Sequence, residues 1–381
     1  MVYNNRSFHE EVSMDLLQNT YRSEESDLSR LQKLYKKYGY SKFRMSKFED
    51  YTLYLQNKDF LKGGNVITFN GPSGRLLALK QDVTLSIVKN AKEEDFPCKV
   101  FYTENVYRAS DDANDIREIP QAGVEYIGSV DVFAMSEVIQ MAAESLAAVS
   151  ERYILGISHM GLVRGLLEAS GVSLEIQKEM LTCIQNKSAH GLLDICRRES
   201  VPEETAQKLA ALSDIFGKPD DCFDALSALA VNDRTADAVQ ELKEVYALLC
   251  ETGHGECLRI DFSVANDMQY YNGVTFQGFV DGTPQSVLSG GRYDDLVRKF
   301  GRTGGAIGFA VYLDLLRYSG APSSASGDIL VLYDPADVQG LAKAVADLRR
   351  DGAQVSVLTH PKENETHAKV YIYKQGRLCA Q

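Results

Sequence analysis

The most restrictive feature of this sequence is a set of strand-like runs divided by a helical block. Before the block come "CKVFYTENVYR" and "QAGVEYIG" within residues 98–128, separated by the charged stretch "ASDDANDIREIP", and then "YILGIS" at 153–158. After it come "LRIDFSV" (258–264), "GVTFQGFV" (273–280), "QSVLSGG" (285–291) and "AIGFAVYL" (306–313). From about 160 to 250 the pattern is helical instead, as in "LVRGLLEASG" and "ADAVQELKEVYALLCETG". Alternation with β-branched and aromatic residues marks the strands, and the 3.6-residue period marks the helices. Strand runs interrupted by helical runs predict an α+β sheet domain carrying a helical insertion.

The flanking elements fit that frame. Residues 24–39 read as an amphipathic helix with Leu28, Leu31, Leu34 and Tyr35 on one face and Gly39 as its C-cap. "NGPSGRLLALK", ending at residue 80, reads as a turn and an apolar strand, and residues 82–91 as a helix. Residues 131–151 make a strong helix with Asp131 near its start. The two runs within 98–128 are expected to pair antiparallel. Asn272–Gly273 is the dipeptide of a tight hairpin turn, with Tyr270 and Tyr271 at its start, and such a hairpin would floor a small-molecule pocket. "APSSASG" (321–327) reads as a linker between a domain over residues 1–320 and a small α/β piece over 328–381. That piece begins "DILVLYD", "LAKAVADLRRDG", "QVSVLTH", a β-α-β pattern.

Composition removes several function classes. The formal net charge is −12, which argues against broad binding to a phosphate backbone. The seven cysteines are widely spaced with no C-x-x-C, the usage of reduced thiols in the cytoplasm. No H-E-x-x-H occurs and no histidine sits at zinc-finger spacing from a cysteine pair, so no metal is expected. "MVYNNRSFHEEVSMDLL" lacks the apolar stretch of a signal peptide, and no run of 18 apolar residues predicts a membrane span. Neither a P-loop, a dinucleotide fingerprint nor G-x-S-x-G is present, so no cofactor and no acyl-transfer site is expected.

Three places can carry chemistry. Arg108, entering the charged loop, can clamp a carboxylate or phosphate bidentately. On the next strand Gln121, Gly123 and Glu125 share one face, and a Gln beside a Glu suits a ligand bearing an ammonium or imidazole. The plain alternative is a solvated strand face with a surface arginine. Asp82 and Thr84, after an apolar strand, can hold an amino group or simply cap a helix. Tyr270 and Tyr271, with "SGGRYDDL" after them, can wall a pocket or pack in the core. Gly290–Gly291 permits either a close backbone approach or a tight turn.

Taken in order, these segments resemble the class II aminoacyl-tRNA synthetases, and specifically histidyl-tRNA synthetase. "LQKLYKKYGYSKFRMSKFE" is similar to the first, dimer-forming motif, with Met45 about where the family has proline. "LALKQDVT" resembles the strand whose acidic residue binds the amino group of histidine. "YRASDDANDIREIPQAGVEYIG" resembles the second motif, with Arg108 as its arginine. "MQYYNGVTFQGF" and "SGGRYDDL" resemble the two histidine-recognition segments, and "AIGFAVYLDLL" the third motif. The likeness covers roughly residues 10–320. It implies an antiparallel sheet with flanking helices, and a histidine site made of Asp82, Thr84, Arg108, Gln121, Glu125, Tyr270 and Tyr271.

The departures from the family bear on activity. The catalytic arginine expected four residues before the tyrosine pair is Asn266, and the arginine of the third motif is Leu315. The second-motif loop is "SDDANDI", acidic where the enzyme is basic or polar. Adenylation builds charge on the ATP phosphates, and losing one fixed donor to such charge costs about 3–4 kcal/mol. Losing two cations is expected to abolish the reaction. The C-terminal piece is also shorter than an anticodon-binding domain, so no tRNA is expected. The pattern resembles the family of ATP phosphoribosyltransferase regulatory subunits. That likeness implies a chain without catalysis of its own, a self-dimer, and a hetero-octamer with the short-form catalytic subunit. The effector would be free histidine, inhibiting the first step of histidine biosynthesis. A paralogue sensing another amino acid, or an active histidyl-tRNA synthetase, are the other readings.

Overall fold

The computed structural model describes residues 14–61, 66–109, 115–265, 270–316, 328–335, 337–350, 354–361, 367 and 369–381. The chain divides into two compact units, Met1–Ser319 and Gly320–Gln381.

The first unit is organised by a nine-stranded sheet. Its order is Ser41–Lys42, Cys98–Ala109, Ile116–Gly128, Gly305–Tyr312, Leu288–Arg292, Val274–Val280, Tyr153–His159, Leu258–Asp261, Phe216–Gly217. From Cys98–Ala109 to Tyr153–His159 every neighbouring pair runs antiparallel. The two sequence-adjacent strands of this set form the expected pair, with Tyr102 opposite Gly123 and Val100 opposite Glu125.

One face of the sheet is covered by helices Val132–Val149 and Met14–Lys37. The Asp131 carboxylate accepts from the Ala134 amide and caps the former, as an N-terminal Asp does. Met135, Val138, Ile139 and Leu146 of that helix are buried in the core. Tyr35 of the other helix packs between Phe101 and Phe309, with ring centroids 5.9 and 6.0 Å away. Its run begins earlier than the predicted 24–39, and Gly39, at φ +82°, follows its end with its amide bonded to the Lys36 carbonyl. Val132–Val149 is long and apolar enough to cross a membrane by length and composition, but its packing is that of a core helix.

The helical block comprises Met160–Ala169, Leu174–Gln185, Ala189–Arg198, Glu203–Asp214, Pro219–Ala228 and Asp233–Glu251. It leaves the sheet after Tyr153–His159 and returns at Leu258–Asp261, and these two strands pair parallel, side by side. That pairing corrects one expectation. Asn272–Gly273 does not turn a hairpin, because the strand before it bonds elsewhere and stops at Asp261, followed by a 3-10 turn over Phe262–Val264. The hairpin in this region is the next one, Val274–Val280 with Leu288–Arg292. Gly290 and Gly291 lie within its second strand and not in a turn.

A small sheet of Phe48–Asp50, Leu76–Leu79 and Thr68–Asn70 stands beside the main one. The second unit has a four-stranded sheet ordered Gln354–Leu358, Asp328–Tyr333, Lys369–Lys374, Arg377–Ala380, with helix Leu341–Arg350. The β-α-β start is as read. The final hairpin turns on Gln375 and Gly376, both at positive φ. The predicted linker lies outside the described residues. All seven cysteines are free, and among the described residues no cluster of His, Cys, Asp and Glu could hold a metal ion.

Candidate functional site

The face of the sheet opposite Val132–Val149 carries a narrow, polar cleft. Its floor follows from strand register. Glu125 lies opposite Gly308, which lies opposite Gly291; Gly123 lies opposite Ala310, which lies opposite Ser289. Side chains alternate along each strand, so these two rows face the same side. Their small members leave bare backbone on which larger groups from neighbouring positions rest. A Cβ on Gly123 would come 2.6 Å from the Tyr102 ring, one on Gly291 would come 2.7 Å from the Tyr271 ring, and one on Gly308 would come 1.8 Å from Glu125 Oε2. Glycine is required at these three points by close approach and not by turn geometry.

All seven residues expected at the site, Asp82, Thr84, Arg108, Gln121, Glu125, Tyr270 and Tyr271, line this one cleft. Glu125 is at its centre, 2% exposed. Thr84 donates to its Oε1 at 2.6 Å, and the Tyr293 hydroxyl donates to its Oε2. Asp82 fills the capping role considered for it and also faces the cleft. Its Oδ1 accepts from the Leu85 amide at 2.7 Å in the first turn of helix Thr84–Asn90. Tyr270 and Tyr271 meet edge-on with centroids 4.8 Å apart, and Tyr270 also touches Tyr293 at 5.7 Å and Phe60 at 6.2 Å. Both tyrosines are buried.

Arg108, near the end of its strand, is half-buried, and its Nε is buried with no hydrogen-bond partner among the described residues. A buried donor left unpaired is costly, so this atom calls for an acceptor from a ligand. It is the one cation among the described residues lining the cleft. The two carboxylates dominate the field elsewhere. The hydroxyls of Tyr102, Tyr270 and Tyr293 are all held well above the usual phenol range by burial first; the Glu125 charge adds to this at all three, and the Asp82 charge at Tyr102 and Tyr270. Such a cleft suits a zwitterion whose side chain is cationic or donates hydrogen bonds. Arg108 offers charge complementary to a negative end, and Asp82 and Glu125 charge complementary to positive groups.

Four polar lining residues were not singled out beforehand as site members: Tyr102, Ser289, Tyr293 and Tyr312. Tyr312 was findable from register, since it sits opposite Gln121. Tyr293 stood in a quoted motif but reads locally as the start of a helix. Of the departures noted in the sequence, Leu315 is half-buried and packs against the core. Asn266 and residues 110–114 of the acidic loop lie outside the described residues, while Arg117 at the loop's far side is exposed.

Comparison with known proteins bears directly on this arrangement. The family model for histidyl-tRNA synthetase matches residues 13–316. An ATP phosphoribosyltransferase regulatory subunit from Moorella thermoacetica is 30% identical over 337 residues, covering 86% of this chain and 85% of that protein. The chain belongs to the histidyl-tRNA synthetase family, in its branch of ATP phosphoribosyltransferase regulatory subunits. A second member of that branch, from Alkaliphilus metalliredigens, is 27% identical and covers 89% of each chain. Among solved structures, an ATP phosphoribosyltransferase regulatory subunit/histidyl-tRNA synthetase from Bacillus halodurans superposes with a TM-score of 0.76, at 23% identity and 89% coverage of each chain. A chain of the ATP phosphoribosyltransferase complex from Thermotoga maritima gives a TM-score of 0.59 at 18% identity, covering 76% of this chain and 97% of that one. These two likenesses establish the α+β class II synthetase fold.

Proposed function

We propose that this chain is a non-catalytic regulatory subunit of ATP phosphoribosyltransferase, and that its cleft binds free histidine as the feedback signal of histidine biosynthesis. The observation that carries the reading is the Glu125 carboxylate, buried and held by two hydroxyls, in one cleft with an Arg108 Nε that has no hydrogen-bond partner among the described residues. Glu125 and Gln121 would meet the imidazole, Asp82 the amino group, and Arg108 the carboxylate, with Thr84, Tyr270 and Tyr271 shaping the walls. Leu315, in place of a phosphate-binding arginine, supports binding without adenylation.

The partner in this reading is the short-form catalytic subunit, in a hetero-octamer built on a dimer of this chain, in the cytoplasm. The occurrence of the similar Thermotoga maritima chain in an ATP phosphoribosyltransferase complex supports such a partner. We read the C-terminal unit as a counterpart of the anticodon-binding α/β domain that does not engage tRNA, in keeping with the net charge of −12. The test is co-expression with a short catalytic subunit, followed by assay with and without histidine. Glu125→Ala is expected to keep the assembly and lose inhibition. If the purified chain ignores histidine, or makes histidyl-adenylate at an enzymatic rate, the reading fails.

A further inference from the structure

The segment carrying Tyr270 and Tyr271 is not part of the sheet, so something else must fix it. On one side the Asn272 amide bonds the Arg292 carbonyl at 3.0 Å, and Asn272 Oδ1 accepts from the Asp294 amide at 3.0 Å. The other anchors come from the first helix of the insertion. The Met160 amide, at its start, donates to the Gly273 carbonyl at 2.8 Å. One turn on, Arg164 Nη2 donates to the Tyr271 carbonyl at 3.0 Å, and its Nη1 lies 3.7 Å from the Asp295 carboxylate.

That helix is tied rigidly to the last helix of the insertion, Asp233–Glu251. A Cβ on Gly165 would come 2.2 Å from Thr235 Cγ2, and Thr235 belongs to the capping box that starts the last helix. The last helix reaches back to the same segment. Glu241 accepts from His159 Nε2 at 2.8 Å and from Arg292 Nη1 at 3.3 Å, and the Arg292 carbonyl is the one holding Asn272. The tyrosine segment is therefore pinned to helices that contribute no side chain to the cleft.

We propose that Arg164 is a positioning residue of the cleft: by holding the Tyr271 carbonyl it sets the two tyrosine rings and couples ligand binding to the helical insertion. A ligand that closes against Tyr270 and Tyr271 tightens the Arg164 bond, and the insertion becomes the element whose order reports occupancy. This rests on histidine as the ligand.

The test compares the full-length wild type with Arg164→Ala and Arg164→Lys. Before any ligand is added, hydrogen exchange at the Asn272 amide is expected to be faster in Arg164→Ala. Calorimetry with free histidine is expected to show binding weakened about 10-fold or more, the range for losing a charged donor's bond. Histidine is expected to slow exchange across Met160–Ala169 in the wild type and not in Arg164→Ala. Arg164→Lys keeps a donor for the carbonyl and is expected to recover part of the affinity; should the alanine variant not fold, it carries the comparison alone. Unchanged exchange at Asn272, or wild-type affinity in Arg164→Ala, overturns the proposal. Histidine binding that Glu125→Ala abolishes and Arg164→Ala leaves intact sinks this inference alone. A wild type blind to histidine sinks both this inference and the reading of the cleft.

Discussion

Gly308→Ala is the sharpest probe of the cleft, because it adds one methyl group and acts on the site by displacing the Glu125 carboxylate. The new Cβ would stand 1.8 Å from Glu125 Oε2 and 2.5 Å from the Val124 carbonyl. The carbonyl belongs to a neighbouring strand in the middle of the sheet and has no room to retreat. The Glu125 side chain must therefore move, and it leaves the Thr84 and Tyr293 hydroxyls behind. A hydrogen bond to a charged group contributes about 1.5–3 kcal/mol, and overpacking a well-filled site costs about 1–3 kcal/mol. Partial repair by rotation of the hydroxyls leaves a net destabilisation of about 3–5 kcal/mol. Histidine affinity is expected to fall about 100-fold, since the carboxylate no longer points into the cleft. Chemical denaturation gives the first quantity and calorimetry the second. Wild-type affinity in a folded Gly308→Ala chain would refute the geometry, since either the carboxylate is not held there or it does not meet the ligand.

Three further outcomes follow from the same contacts. Tyr293→Phe removes one of the two hydroxyls on Glu125 and keeps the ring, so calorimetry should show affinity down about 10-fold with the fold intact. Burial pushes Glu241 up, but its bond to His159 and the nearby Arg292 outweigh that and hold it below the usual carboxylate value. A lowered folded value means its stabilisation is complete above the unfolded pKa and is lost as pH falls through the folded one. The stability gap between wild type and Glu241→Gln should therefore be flat near neutrality and close in acid, below about pH 4.3. Cys257 is pushed up to about 11 by burial, while Cys250 and Cys379 are exposed. Alkylation at pH 8 followed by mass spectrometry should label the exposed pair well before Cys257.

Elements whose signals are local were legible in the sequence. The Val132–Val149 helix announces itself by periodicity and by Asp131, and the strand pair within 98–128 by alternation on both sides of a charged loop. The cleft was legible through resemblance, which picked out seven residues from three segments that fold together. What escaped was non-local. The Asn-Gly dipeptide at 272–273 has the chemistry of a hairpin turn, yet Leu258–Asp261 finds its partner in Tyr153–His159, across the whole insertion. Asn272 instead uses its side chain to receive the Asp294 amide. Tyr293 looks locally like the entry to helix Asp294–Lys299, and only the tertiary fold shows its hydroxyl reaching Glu125. The role of the bare floor at Gly123, Gly291 and Gly308 depends on which strands become neighbours, a relation no window of sequence contains.

The parallel pairing of Tyr153–His159 with Leu258–Asp261 has a consequence for how the chain folds. Val274–Val280 must find Tyr153–His159 for the central sheet to close, and closing so long an unstructured loop carries a large entropic barrier. Within the block the first helix, Met160–Ala169, packs on the last, Asp233–Glu251. Once they collapse, the two ends of the block stand next to each other and the search becomes short. Refolding rates should then track the integrity of a segment that supplies only the two-residue edge strand Phe216–Gly217 to that sheet.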